Sequence, residues 1–182
     1  MSELSSKNKE GIEKGAKQSP SLKARALRLL SLREYSRKGL AAKLEESAAR
    51  YAKLSSKEDE QESDVIGKPV TLQIQEVLDD FEARGWLSDE RFAEALVRRR
   101  SERYGARKIQ DELQRAGVDS DKAAELIQGL RETEYQRAKE LWLKKFGTLG
   151  QEQKERARQY RFLASKGFSS EVVSKVLGGR FD

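Results

Sequence analysis

The chain carries one helix-stop, helix-start signal twice. Leu113-x-x-x-Gly117-Val118-x-Ser120 recurs as Leu163-x-x-x-Gly167-Phe168-x-Ser170. At the same offset Ala123 matches Val173 and Ile127 matches Leu177. Glycine ends a helix because it enters the left-handed region without a Cβ penalty. The serine three residues on can cap the helix that follows. Upstream, Tyr35…Leu40…Leu44 matches Tyr104…Ile109…Leu113 residue for residue. Phe81-x-x-x-Gly85-Trp86-x-Ser88 has the same shape but ends a third helix, so it shares the stop logic and not the repeat position. The self-similarity predicts three units of three helices, over about 22–84, 88–130 and 134–178. Each is too small to bury much apolar area alone, and stacking neighbours lets them share a core. The expected fold is all-α: an elongated, curved array of three tandem three-helix repeats.

Helical periodicity supports this along the chain. Residues 1–20 are polar and end on Ser19-Pro20, which reads as an arm over 1–21. Leu22, Ala26, Leu29 and Leu30 then share one side of a helix. Ser36 is placed to cap a second helix carrying Leu40, Leu44 and Ala48. Ser55–Asp64 holds five acidic residues, one lysine and no apolar residue. With Gly67-Lys68-Pro69 it reads as an acidic loop over 55–69 inside the first repeat, 22–86. Thr71–Arg84 places Ile74, Val77, Leu78 and Phe81 inward, and Gly85 closes it. In the second repeat, 87–132, Ser88 caps a helix that Tyr104-Gly105 ends. Ala106–Ala116 follows, closed by Gly117, and Asp119 or Ser120 caps the next helix, to about Leu130. In the third, 133–182, the expected helices are Glu134–Phe146, Lys154–Lys166 and one capped by Ser169 or Ser170 and running to about Leu177. No segment shows the sustained alternation of a strand.

What is missing excludes most chemistry. There is no Cys and no His, hence no disulfide, thiolate nucleophile, imidazole base or Cys/His zinc site. No phosphate-binding loop of the GxxxxGK[ST] type occurs. Asp79-Asp80 and Asp89-Glu90 are adjacent, so they diverge on a helix, and Ser36, Ser88 and Ser120 read as caps. The reading is a non-enzyme with no catalytic residue, cofactor or metal. No apolar run is long enough for a membrane span, and no apolar stretch follows the basic N-terminus as in a secretory signal. A cytoplasmic protein is expected.

Charge is the remaining signal. The chain has 37 Lys and Arg against 31 Asp and Glu, a net charge of +6. The total is modest, but its distribution is uneven. Arg91–Arg115 holds eight basic and four acidic residues, and Arg131–Lys166 ten and five, whereas the acidic run lies in the first unit. On a helical wheel Arg98 points away from the apolar face formed by Phe92, Leu96 and Val97. Arg99 and Arg103 flank that face, and Arg100 falls within it. A buried arginine needs a partner, which leaves either an ion pair or a contact with another molecule. Lys108, Asp111 and Arg115 share an outer face. Lys154, Arg158, Arg161 and Ser165 form an outer stripe bordered by Phe162, which either packs on the adjacent short helix or stacks on a base. Trp142 reads as core with Tyr135, Ala138 and Phe146, and Trp86 as packing between units one and two. The contact candidates are Arg98, Arg99, Arg100, Arg103, Arg107, Lys108, Arg115, Lys154, Arg158 and Arg161.

Several of these residues carry a resemblance. Leu87-Ser88-Asp89-Glu90-Arg91-Phe92-Ala93, Arg100, Tyr104-Gly105-Ala106-Arg107-Lys108-Ile109-Gln110-Asp111-Glu112-Leu113 and Gly117-Val118 together resemble the signature of the RecX regulatory family. Ala26-Leu27-Arg28-Leu29-Leu30 with Arg33-Glu34-Tyr35-Ser36 resembles its first-repeat signature, and Glu134–Leu177 its more variable third repeat. The acidic insert departs from the pattern, where a short turn usually joins the helices. The resemblance implies a monomeric modulator that binds in the groove of the RecA–DNA filament. It would suppress RecA ATPase, strand exchange and co-protease activity, and some members also bind single- or double-stranded DNA. The alternative is a stand-alone, sequence-indifferent DNA-binding helical protein, since Ala106–Gly117 can be read as part of a helix-turn-helix.

Overall fold

The structure is a computed structural model that describes residues 20–55 and 68–178. Most of the polar arm (1–19) and of the acidic insert (56–67) lies outside the described residues. The described residues form nine helices and no strand: α1 Leu22–Leu30, α2 Arg37–Ser55, α3 Val70–Ala83, α4 Asp89–Arg100, α5 Ala106–Arg115, α6 Ser120–Glu132, α7 Glu134–Phe146, α8 Gln153–Ser165 and α9 Ser170–Val176.

The repeated glycine motif is a Schellman turn. Val118 N donates to Leu113 O at 3.1 Å and Gly117 N to Gln114 O at 3.0 Å. Phe168 and Gly167 repeat the pattern on Leu163 and Ala164, and Trp86 and Gly85 on Phe81 and Glu82. This explains why Leu or Phe precedes the glycine by four residues and an apolar residue follows it: the two flank the same hydrogen bond and pack on each other. Caps fall where short polar side chains stand. Ser36 Oγ accepts from Gly39 N at 3.0 Å and Ser88 Oγ from Arg91 N at 3.2 Å. Asp119, not Ser120, caps α6, accepting from Asp121 N, and Ser169 caps α9.

The helices gather round three cores. Leu40, Leu44, Ile74, Leu78 and Phe81 centre the first, Leu96, Ile109, Leu113 and Ile127 the second, and Trp142, Leu163, Phe168 and Val173 the third. Two aromatic placements differ from the sequence reading. Trp86 stays 45% exposed and meets Phe81 of its own unit edge-on at 5.2 Å. The Schellman turn folds it back on the helix it ends rather than across to the next unit. Tyr135 is 42% exposed, because it opens α7 on the solvent side of the stripe that buries Ala138 and Trp142.

Successive units join by a common rule. The first amide of each middle helix is taken by the carboxylate that opens the next unit. Arg37 N donates to Asp89 Oδ1 at 2.8 Å, and Ala106 N to Glu134 Oε1 at 2.8 Å. The turn glycine of the later unit then lies against that same helix start. At the first junction the atoms nearest a Cβ on Gly117 belong to the Lys38 side chain. At the second, two backbones touch. Gly105 N donates to Lys166 O at 3.0 Å, and a Cβ on Gly105 would lie 2.2 Å from Gly167 O. Gly167, at φ +86°, likewise has Lys108 N within 2.8 Å of where a Cβ would stand.

Gly105→Ala and Gly167→Ala should therefore each destabilise the fold by about 1–3 kcal/mol. Gly129→Ala, in open space within α6, should stabilise it by up to about 1 kcal/mol. Urea-unfolding midpoints of the three variants test this, and equal loss in all three would refute the close-approach account.

Candidate functional site

The second junction positions the surface that carries most of the candidate residues. Glu134 is 4% exposed and spends one carboxylate oxygen on Ala106 N. One turn on, half-buried Arg137 donates to Ser101 O at 2.6 Å, Tyr104 O at 2.7 Å and Leu130 O at 2.7 Å. These carbonyls lie at the C-terminal ends of α4 and α6, where a cation also meets the negative end of the helix dipole. Burial pulls the Arg137 pKa below its ordinary value, while Glu134 opposes that shift. The sequence reading had counted both residues only as charge. No local signal marks these junction bonds, because the partners come from other helices; the one local bond is Arg137 Nε to Thr133 Oγ1 at 3.2 Å.

Around Tyr104 the same junction gathers three cations. Arg100, Lys108 and Lys166 lie 5.3, 4.7 and 5.4 Å from the ring centroid. Arg100 also pairs with Glu112, Nε to Oε2 at 3.0 Å. Of its two sequence readings this is the ion pair, and it explains how an arginine sits on an apolar face.

The other cations sort by unit. In unit one they are mostly engaged. Arg37 pairs with Asp79 and Glu82, Lys23 and Arg84 share Asp80, Lys43 and Arg50 share Glu46, and Lys68 meets Glu76. Hydrogen bonds from Arg84 and then Lys23 hold the Asp80 carboxyl below its usual range. In unit two, Arg91 pairs with Glu34 at 3.0 Å and Lys122 with Glu90 at 2.7 Å. The Lys122 hydrogen bond is the chief cause that pushes Glu90 down to about 2. Arg98, Arg99, Arg103, Arg107, Arg115, Lys154, Arg158 and Arg161 are different. All are exposed, and none has a hydrogen-bond or ion-pair partner among the described residues.

Grooves bring some of these together. A groove of about 520 Å³ runs between α5 and the α8–α9 turn, with Arg107, Lys108 and Arg115 on one wall and Tyr160, Ala164 and Ser165 on the other. A second, of about 590 Å³, collects Arg103 with Lys144, Lys145, Glu102, Glu140, Leu141 and Phe162. Lys144 and Lys145 escaped the sequence reading because basic residues in a last helical turn are ordinary. Phe162 meets Phe146 edge-on at 5.4 Å, which accounts for it by packing. Arg98 and Arg99 line neither groove. The described residues contain no cluster of metal-ligating side chains, and no helix is long and apolar enough to cross a membrane.

These features define a class: a modular helical array that presents unpaired cations and holds no metal-binding cluster among its described residues. Comparison with known proteins supplies the family. The family models for the second and third three-helix domains of RecX match residues 88–127 and 132–177. The regulatory protein RecX of Leptothrix cholodnii is 43% identical over 157 residues, covering 86% of this chain and 87% of that protein. That of Chromobacterium violaceum is 38% identical over 167 residues, covering 92% and 95%. The crystal structure of RecX from Lactobacillus salivarius superposes with a TM-score of 0.61 at 18% identity, covering 86% of this chain and 92% of that one. The chain belongs to the RecX family of regulatory proteins.

The division between engaged and free cations is measurable. Arg137→Met should cost about 2–4 kcal/mol, since it strips three partly buried carbonyls of a charged donor. Arg158→Met should stay within about 0.5 kcal/mol of the parent. Thermal unfolding of both decides it; equal effects would mean that Arg137 is no more structural than a solvated side chain.

Proposed function

We propose that this chain regulates the RecA recombinase by lying in the groove of the RecA–DNA filament. There it inhibits RecA ATPase, strand exchange and co-protease activity, and so damps recombination and the SOS response. The observation that carries the reading is the run of exposed cations without a side-chain partner along units two and three: Arg98, Arg99, Arg103, Arg107, Arg115, Lys154, Arg158 and Arg161. Family membership supports it, and so does an array built to present a long surface instead of a reaction centre. The units we assign are 22–86, 87–132 and 133–182, acting as a monomer in the cytoplasm.

The mechanism is occupancy. Three linked units touch more than one RecA protomer, so each contact after the first forms at high effective concentration. The bound filament neither turns over nor admits a second strand. Arg98, Arg99, Arg103, Lys108 and Arg115 serve the central contact and Lys154, Arg158 and Arg161 that of the third unit. Charged groups on a filament-facing surface act first on encounter rate and register.

RecA ATPase on single-stranded DNA, with this protein titrated in, tests the reading. Activity should fall saturably. Reversing Arg98, Arg99 and Arg103, or Lys154, Arg158 and Arg161, to Glu should raise the half-inhibiting concentration about tenfold or more, a loss of about 1.4 kcal/mol. No inhibition at saturating protein would end this proposal. DNA binding without any effect on RecA would favour the stand-alone DNA-binding alternative.

A further inference from the structure

The grooves of units two and three have different floors. The one between α5 and the α8–α9 turn is lined mainly by small or polar residues, Ala164, Ser165, Gly167, Ser169 and Ser170, with Tyr160 half-buried among them and Phe168 buried beneath. Arg107 and Arg115 stand on its α5 wall. Ser165, at its edge, is the last position of the outer stripe of α8. Arg161, Arg158 and Lys154 thus prolong the same wall for about 16 Å at the helical rise. Two carboxylates face this groove. Glu112 is engaged by Arg100, and Asp111 lies one turn from both Arg107 and Arg115. The groove holding Arg103 is of another kind, with Glu102 and Glu140 on its rim and Leu141 and Phe162 inside. A third, between α5 and α6, is floored by Leu113, Val118 and Ile127, with Arg131 as its cation.

We propose that the α5–α8 groove and its continuation along α8 form a track for the sugar–phosphate backbone of a nucleic-acid strand, bound without reading bases, and that the Arg103–Lys144–Lys145 groove takes no part in it. This rests on the filament reading and deepens it, by assigning the DNA share of the contact to Arg107, Arg115, Lys154, Arg158 and Arg161. Small floor residues let a backbone approach closely. Guanidinium forks match phosphate oxygens in pairs, and lysine supplies a point charge. None of these groups breaks an internal ion pair to bind. Carboxylates on the rim of the other groove repel phosphate, and its apolar floor has nothing to offer a ribose-phosphate chain.

Each phosphate neutralised on a single strand contributes about 0.7 to the slope of log affinity against log salt. The five cations together predict a slope of about −3.5. The measurement is anisotropy of a fluorescein-labelled oligothymidylate titrated with the full chain across a potassium chloride series. Arg107→Gln with Arg115→Gln, and separately Arg158→Gln with Arg161→Gln, should each make the slope shallower by about 1.4. Lys144→Gln with Lys145→Gln should leave it unchanged. Equal loss in the lysine pair, unchanged slopes in both arginine pairs, or no salt-dependent binding by the parent would overturn the track. The same proteins in the RecA ATPase assay separate the two claims. A parent that binds with the predicted slope but does not inhibit RecA fails the filament reading alone. Arginine variants that lose inhibition while keeping the parental slope assign these cations to a protein surface and overturn the track.

Discussion

The approach of Gly105 to Gly167 is the contact on which the arrangement of units two and three depends. Two backbones meet where no side chain fits, and Gly105 N donates across the seam to Lys166 O. Everything close by is organised from that point. Glu134 takes the next amide, Ala106 N, and Arg137 takes the carbonyls that end α4 and α6. Backbone hydrogen bonds have narrow geometry, and a backbone seam leaves no side-chain rotamers to adjust. The angle between these units is therefore tightly held, and with it the walls of both cationic grooves.

The first junction follows the same capping rule with softer material. Asp89 takes Arg37 N, but Gly117 rests on the flexible Lys38 side chain, and Arg91 reaches Glu34 through a half-exposed ion pair. Charge is divided along the same line. Unit one pairs Lys23, Arg37, Lys68 and Arg84 with carboxylates of α3 and Lys43 and Arg50 with Glu46 of α2, whereas Arg98, Arg99, Arg103, Arg107, Arg115, Lys154, Arg158 and Arg161 of units two and three stay in water. Exposed ion pairs contribute little to stability, so leaving an arginine unpaired costs the fold almost nothing. It retains, in exchange, a cation free to displace the counterions of a polyanion.

Much of the fold is legible in residue order, and some of the site is not. Leu113, Gly117 and Val118 announce a Schellman turn because its three roles fall within six residues. Ser36, Ser88 and Ser169 announce helix starts for the same reason. Arg98, Arg158 and Arg161 are readable as outward because they lie opposite apolar stripes. Arg100 could be recognised as needing a partner, but not that the partner is Glu112 on the next helix. Trp86 was misplaced because the sequence shows that it follows a stop, not which way the chain turns afterwards. Glu134 and Arg137 carry no local mark of their part in the junction, since Ala106 N, Ser101 O and Tyr104 O are distant in sequence, and Gly105 is legible as a helix end but not as the partner of Gly167.

The sequence by itself determined the all-α class, the tandem three-helix plan, most helix ends and the absence of His and Cys chemistry. Those properties rest on interactions within one or two helical turns, which residue order states directly. Only the tertiary structure decided which cations are spent on carbonyls and carboxylates and which stay free. It alone separated a small-floored groove from an apolar one, and showed that two glycines far apart in the chain share one contact. Those outcomes depend on how units stack, and stacking is set by close approach between helices that no local pattern records.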